Sequence, residues 1–204
     1  MTKKKPKEKR IMDIIMAAVD LFLERGYEKT SMEAIAEKAG ISKGGLYFHF
    51  NSKDEILIQA NYILNEPTAR MMQQALNKPK ASEGLSFFIR NYLKYWKIHD
   101  KEAVFFFLSI TKTLDSPELW NMYAGYMKKV IKFYQDLLQK GIDSGEFIPH
   151  STYDHALILM SALDGITGYL VMNKNLDEKE IISIYEKKFI HDILQKNHKK
   201  LKGE

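Results

Sequence analysis

The chain has 204 residues, 45% of them hydrophobic, which is enough for a substantial core, and it contains no cysteine. That composition excludes disulfides, thiolate metal sites and cysteine nucleophiles, and it fits a reducing compartment such as the cytoplasm. The net charge is +5, and the first ten residues, MTKKKPKEKR, carry all of it with six basic residues against one acidic.

Residues 1–8, with Pro6 among them, read as a disordered basic arm that gains by neutralising phosphates, although the same composition suits a solubilising tail. A second lysine-rich stretch, Lys196 to Glu204, ends the chain. No apolar run reaches about 18 residues and the basic start precedes no signal-type stretch, so neither a membrane span nor secretion is expected.

Helix 1 is predicted from about Lys9 to Arg25, with Ile11, Ile14, Ile15, Ala18, Val19 and Phe22 on one face and Gly26 as a left-handed cap. Thr30 and Glu33 form a capping box that opens helix 2, which ends near Ala39. Gly40 supplies the tight turn and Ile41 plugs the small core beneath it. Ser42 is the expected N-cap of helix 3, with Lys43, Gly44 and Gly45 in the first turn. Two glycines there lower helix propensity by about 1 kcal/mol each. A helix whose first turn lies against DNA has a reason to accept that, because small residues let its backbone approach phosphates and base edges. Tyr47 and His49 project polar tips from an apolar segment that also holds Leu46, Phe48 and Phe50. Ser52 and Glu55 form a second capping box, and Lys53 stands at a helix N-terminus already suited to phosphate. Two short helices around a glycine turn, followed at once by a third start, are the layout of a helix-turn-helix reader of duplex DNA.

Helix 4 is expected from Lys53 to about Leu76, kinked or broken at Pro67. Pro79 and Ser82 mark the start of helix 5, whose apolar face carries Leu85, Phe88, Ile89, Tyr92 and Trp96. Val104–Ile110 is apolar all round and reads as a central, buried helix. Ser116 and Pro117 open helix 7, which ends before a corner at Gly145. Helix 8 is expected over about Tyr153–Met172 and helix 9 over about Asp177–Gln195.

Tyr92, Trp96, Phe106, Trp120, Tyr123 and Tyr126 can line an apolar pocket with a few polar tips, or simply fill a helical core. His99 and Asp164 could orient a ligand there, or be a helix-end residue and a satisfied core group. Small residues Ser161, Gly165 and Gly168 on helix 8 permit close helix approach. With Ile181, Tyr185 and Phe189 on helix 9, and Ile184 and Ile193 on the same side, they point to a four-helix interface between two copies, or to a stripe that packs only within one chain. No metal-ligand spacing occurs among the six histidines and no phosphate-cradling glycine loop is present, so nothing supports an enzyme.

The run GYEKTSMEAIAEKAGISKGGLYFHFNSKDEIL resembles the DNA-binding domain of the TetR/AcrR family of bacterial transcriptional regulators, over roughly residues 9–57. The resemblance implies phosphate contacts by Thr30, Ser31 and Lys53. It turns Ser42, Lys43, Gly44 and Gly45 to the major groove, and gives Tyr47 and His49 phosphates or bases to bind. Gly45 departs from the pattern, since many relatives carry a threonine there. Lys43 is the one long polar side chain in that turn, suited to a guanine or phosphate. The implied fold is all-α with about nine helices: a three-helix DNA-binding domain over 9–52, then a helical effector and dimerisation domain over 53–204. The implied function is a cytoplasmic, homodimeric repressor, without cofactor or metal, released from a pseudo-palindromic operator by a small, largely apolar or amphipathic effector. An activator or a ligand-independent DNA binder fits the sequence as well.

Overall fold

A computed structural model describes residues 6–194. Nine α-helices build it: α1 (Lys7–Arg25), α2 (Met32–Lys38), α3 (Lys43–Tyr47), α4 (Lys53–Leu76), α5 (Ala81–Ile98), α6 (Asp100–Lys112), α7 (Pro117–Asp143), α8 (Thr152–Met172) and α9 (Glu178–Phe189). A 3₁₀ turn, His191–Ile193, follows α9, and no strand occurs among the described residues beyond an isolated bridge between Phe147 and Leu194. The expected arm, residues 1–8, lies mostly outside the described residues, and its last part, Lys7 and Glu8, already belongs to α1.

The chain divides into two compact units, Met1–Asn65 with Val104–Met122, and Glu66–Ala103 with Tyr123–Glu204. Helices α4, α6 and α7 each run through a division point.

In the first unit, Ile14, Ile15, Val19 and Phe22 of α1 pack with Ile35, Leu46, Phe50, Ile56 and Leu57. Phe105 joins this core, its ring stacked 6.4 Å from Phe22. Two local expectations are corrected here. Ser31, not Thr30, caps α2, its hydroxyl accepting from Ala34 N at 3.1 Å. Gly26 has the positive φ expected, +85°, but its ψ of 156° lies outside the left-handed helical basin, so the chain leaves α1 extended. Ser42 does cap α3, accepting from Gly45 N. Ser52 caps α4 through Glu55 N, while the Glu55 carboxylate reaches Asn51 N instead of the cap residue's own amide.

In the second unit, Phe88, Ile89, Tyr92, Leu93 and Trp96 of α5 meet Phe133, Tyr134 and Leu137 of α7 and Leu159, Met160 and Leu163 of α8. α5 starts at Ala81 with no cap from its own N-terminal residues. The Glu146 carboxylate accepts from Ala81 N at 2.9 Å and from Ser82 N at 3.4 Å instead. The corner supplying Glu146 is tight: Gly145 has φ +69°, and a Cβ on Gly141 would meet the Phe147 ring at 2.1 Å. Arg90 and Ser86 of α5 hold Glu186 of α9.

Three further expectations change. α4 continues through Pro67 without a break. The Val104–Ile110 segment is not uniformly buried: Phe105 and Ser109 point inward while Leu108 is exposed. α9 ends at Phe189, short of Gln195, and it buries Ile181 and Ile182 while Ile184 faces solvent.

Candidate DNA interface and effector cavity

The recognition segment sits on α3, a helix of little more than one turn. Leu46 and Phe50, four residues apart, share its inner face and are buried. Ser42, Lys43, Gly44 and Tyr47 are exposed. Phe48 is 81% exposed, its ring edge-on to that of His49. The period of the helix carried the signal, since 48 lies opposite 46 and 50. Lys43 pairs with Glu33 of α2, lowering the Glu33 carboxyl's affinity for protons chiefly through that hydrogen bond. Lys43 Nζ also lies 6.0 Å from the centre of the Tyr47 ring. A Cβ on Gly44 would meet nothing within 4 Å. The fold therefore does not require glycine at 44, and the open side is the one turned to solvent.

Thr30 is 2% exposed, and its hydroxyl donates to the Gly26 and Leu21 carbonyls, so it ties the α1–α2 turn and presents no side chain to a phosphate. Ser31, at the α2 N-terminus, is exposed. Lys53 donates to the Tyr27 carbonyl at 2.9 Å and lies 4.5 Å over the Tyr27 ring. The Tyr27 hydroxyl donates to Asp54, and burial together with that bond pushes its ionisation well above the usual tyrosine range. Lys112 of α6 lies 5.4 Å from the centre of the same ring and is paired with Glu28. Nothing local in the sequence marks Tyr27, a side chain held by residues 26 and 85 positions away.

The second unit encloses a cavity between α4, α5, α7 and α8. Its walls are Thr68 and Met72, Phe88 and Tyr92, Tyr123, Tyr126, Met127, Val130 and Tyr134, and Met160 and Asp164. Its volume is about 10 Å³, close to the minimum for one water molecule. Asp164 accepts from the Tyr92 hydroxyl at 3.3 Å, and burial pushes its pKa up to about 6. Burial and then the Asp164 charge raise the ionisation of Tyr92, Tyr126 and Tyr134. The Thr68 hydroxyl is buried and makes no hydrogen bond.

Of the expected pocket residues, Tyr92, Tyr123 and Tyr126 line this cavity. Trp96 is buried in the adjoining core. Phe106 and Trp120 belong to the first unit, because α6 has entered it by Phe106 and α7 leaves it only after Met122. His99 ends α5, stacked 4.2 Å on Tyr95 and outside the cavity wall. Among the described residues no group of three or more His, Asp or Glu side chains is placed to hold a metal ion.

Family models match on both sides of the chain. Residues 14–60 match the bacterial regulatory proteins of the tetR family, and residues 90–197 match the C-terminal region of QacR-like proteins. The chain belongs to the TetR family. It is a DNA-binding transcriptional regulator with the all-α fold of that family. A TetR-family relative, the fatty acid metabolism regulator protein of Bacillus subtilis, is 28% identical over 143 residues, 70% of this chain and 73% of that protein. FadR from B. subtilis in complex with stearoyl-CoA superposes with a TM-score of 0.76 at 23% identity, over 88% of this chain and 97% of that one. A regulator from Pseudomonas aeruginosa reaches a TM-score of 0.83 at 15% identity, covering 93% and 92% of the two chains.

The six residues expected at a dimer interface divide in this TetR-family protomer. Ser161 and Gly165 of α8 are exposed and Gly168 is half-buried. They lie on a face with Leu157, Ile158, Tyr169 and Met172, all exposed, Tyr169 by 63%. On α9, Ile181 is buried within the protomer, Phe189 is half-buried, and the half-buried Tyr185 donates its hydroxyl to the Ala162 carbonyl at 2.6 Å. α8 is long and apolar enough to cross a membrane by length and composition.

Proposed function

We propose that the protein is a cytoplasmic, homodimeric repressor whose grip on a pseudo-palindromic operator is released by a small apolar or amphipathic effector. The observation that carries this reading is the course of α4. The helix begins with Lys53 and Asp54, beside Tyr27, and its later turns put Thr68 and Met72 into the cavity wall. Pro67 stands just before those turns and cannot donate to the carbonyl four residues earlier, which leaves the helix locally compliant. An effector that enlarges the cavity displaces this wall, and the helix carries the displacement toward Lys53. Two states with different DNA affinity and different effector affinity then share one equilibrium.

The proposed DNA contacts are Ser31, Ser42, Lys43, Tyr47, His49 and Lys53, with Gly44 and Gly45 admitting the backbone to the groove. Lys43 exchanges an exposed partner, Glu33, for a base or phosphate, a change that solvent screening makes easy. Thr30 positions the turn. The exposed face of α8 packs on a second copy, setting two recognition helices about 34–36 Å apart, or a multiple of that. On this reading α8 is apolar on both sides because each side is covered by protein, with no role for a membrane.

The test is a gel-shift titration of the full chain against duplexes it has itself selected from a random pool, with and without candidate effectors, at stated salt. A selected site with two-fold symmetry and ligand-dependent release is expected. An asymmetric site, or affinity unmoved by every ligand shown by calorimetry to bind the chain, would contradict the reading.

A further inference from the structure

We infer that Glu33 sets base preference: its carboxylate accepts from the N4 amino group of a cytosine whose guanine partner is bound by Lys43, so the two side chains together select one G·C base pair per protomer. The inference rests on the reading of α3 as the helix that enters the major groove.

Glu33 stands in the first turn of α2 and Lys43 opens α3, and the two pair across the turn between the helices. Both side chains are open to solvent, Glu33 by 56% and Lys43 by 60%. The Glu33 carboxylate also takes a hydrogen bond from the Ser31 hydroxyl, and the Lys43 ammonium lies 6.0 Å from the centre of the Tyr47 ring. The pair therefore sits among Ser31, Gly44 and Tyr47, all exposed. Neither member belongs to the core of this unit. An exposed ion pair contributes little to stability, so the fold gives no reason for an acid at this place.

An acid on a surface that meets DNA carries a cost. It repels phosphates and neutralises the long cation of the α3 first turn. The cost is offset where the DNA offers the carboxylate a donor. The base-edge donors of the major groove are the amino groups of cytosine and adenine. Lys43 decides between them. Its ammonium only donates, and guanine shows it two acceptors, N7 and O6. Once Lys43 has moved to guanine, the base across the pair is cytosine, whose amino group lies beside that O6. The carboxylate that Lys43 left thus finds a donor next to its former partner. A thymine–adenine pair offers acceptor and donor in the same order, but with one acceptor, O4, and a methyl group beside it.

The experiment measures binding of the full chain, as wild type and as Glu33→Ala, to a duplex selected from a random pool and to its single-base-pair variants at one salt concentration. The wild type should prefer G·C by about tenfold or more at one position per protomer. Glu33→Ala should bind the variant duplexes more tightly, since a negative charge has left the interface, and keep no more than about threefold of that preference. N4-methylcytosine at that position keeps the base pair but covers the groove-facing N–H. It should weaken the wild type by about tenfold and leave Glu33→Ala within about twofold of its affinity for the unmodified duplex. The modified duplex is read on the wild type alone, so the test holds even if the variant folds poorly. Wild-type binding that tolerates N4-methylcytosine at every position, a preference that survives Glu33→Ala, or an affinity loss in Glu33→Ala spread evenly over all duplexes overturns the inference while the DNA-binding reading stands. Selection of no duplex by the wild type overturns both.

Discussion

Each unit holds a tyrosine hydroxyl on an aspartate, and the two pairs have opposite surroundings. Tyr27–Asp54 lies at the start of α4 with Lys53 and Lys112 on the tyrosine ring. Tyr92–Asp164 lies in the cavity with no basic residue in the wall. The first pair has two cations beside it and ties the start of α4 to Tyr27, whose carbonyl also holds Lys53. The second has no cation in the cavity wall. A buried carboxylate with no positive neighbour weakens the fold when it is ionised.

The largest expected effect separates the pairs by stability. A rise of the Asp164 pKa from the usual 3.8 to about 6 corresponds to about 3 kcal/mol of destabilisation when the group is ionised. The folded state holds this proton more tightly than the unfolded chain. The penalty is therefore absent below the unfolded value, grows as pH rises between 3.8 and about 6, and is complete above that. Asp164→Asn should accordingly stabilise the ligand-free protein by up to about 3 kcal/mol at neutral pH, and by little near pH 4. Thermal melting across that range checks it, and a variant less stable than wild type at neutral pH would break the comparison. Asp54→Asn should act in the opposite sense, losing about 1 kcal/mol with the bond from Tyr27.

Lys53→Ala comes next. It should weaken binding to all duplexes alike and lower the salt slope by about one. A loss confined to particular base sequences would assign Lys53 to base readout instead. The smallest effect is at Gly44. Gly44→Ala should raise stability by roughly 0.5–1 kcal/mol, because the methyl meets nothing within 4 Å and alanine favours the helix, yet it should reduce operator affinity. Unchanged affinity would mean that the open side of α3 is not pressed against DNA.

Periodicity and capping chemistry placed most of the helices, because both act within a few residues. Ser42 and Ser52 cap as their local sequences say. Thr30 and Ser31 competed for the same role, and tertiary contacts decided it: the Thr30 hydroxyl is drawn to the α1 C-terminus, leaving Ser31 to the α2 amides. The α5 cap was invisible in the sequence, since Glu146 arrives from 65 residues away. Aromatic content does not tell which stretch of α6 and α7 belongs to which unit, and Phe106 and Trp120 fall in the first while Tyr92, Tyr123 and Tyr126 line the cavity of the second. Asp164 was legible only as a polar residue in an apolar helix; its meaning came from the tyrosines that other helices bring to it.

The most direct measurement is the affinity of the full chain for a duplex it has itself selected, at one salt concentration, with and without ligands shown by calorimetry to bind the chain. The account predicts a selected site with two-fold symmetry and release of the duplex by such a ligand. An asymmetric site, or affinity that no bound ligand changes, would contradict it.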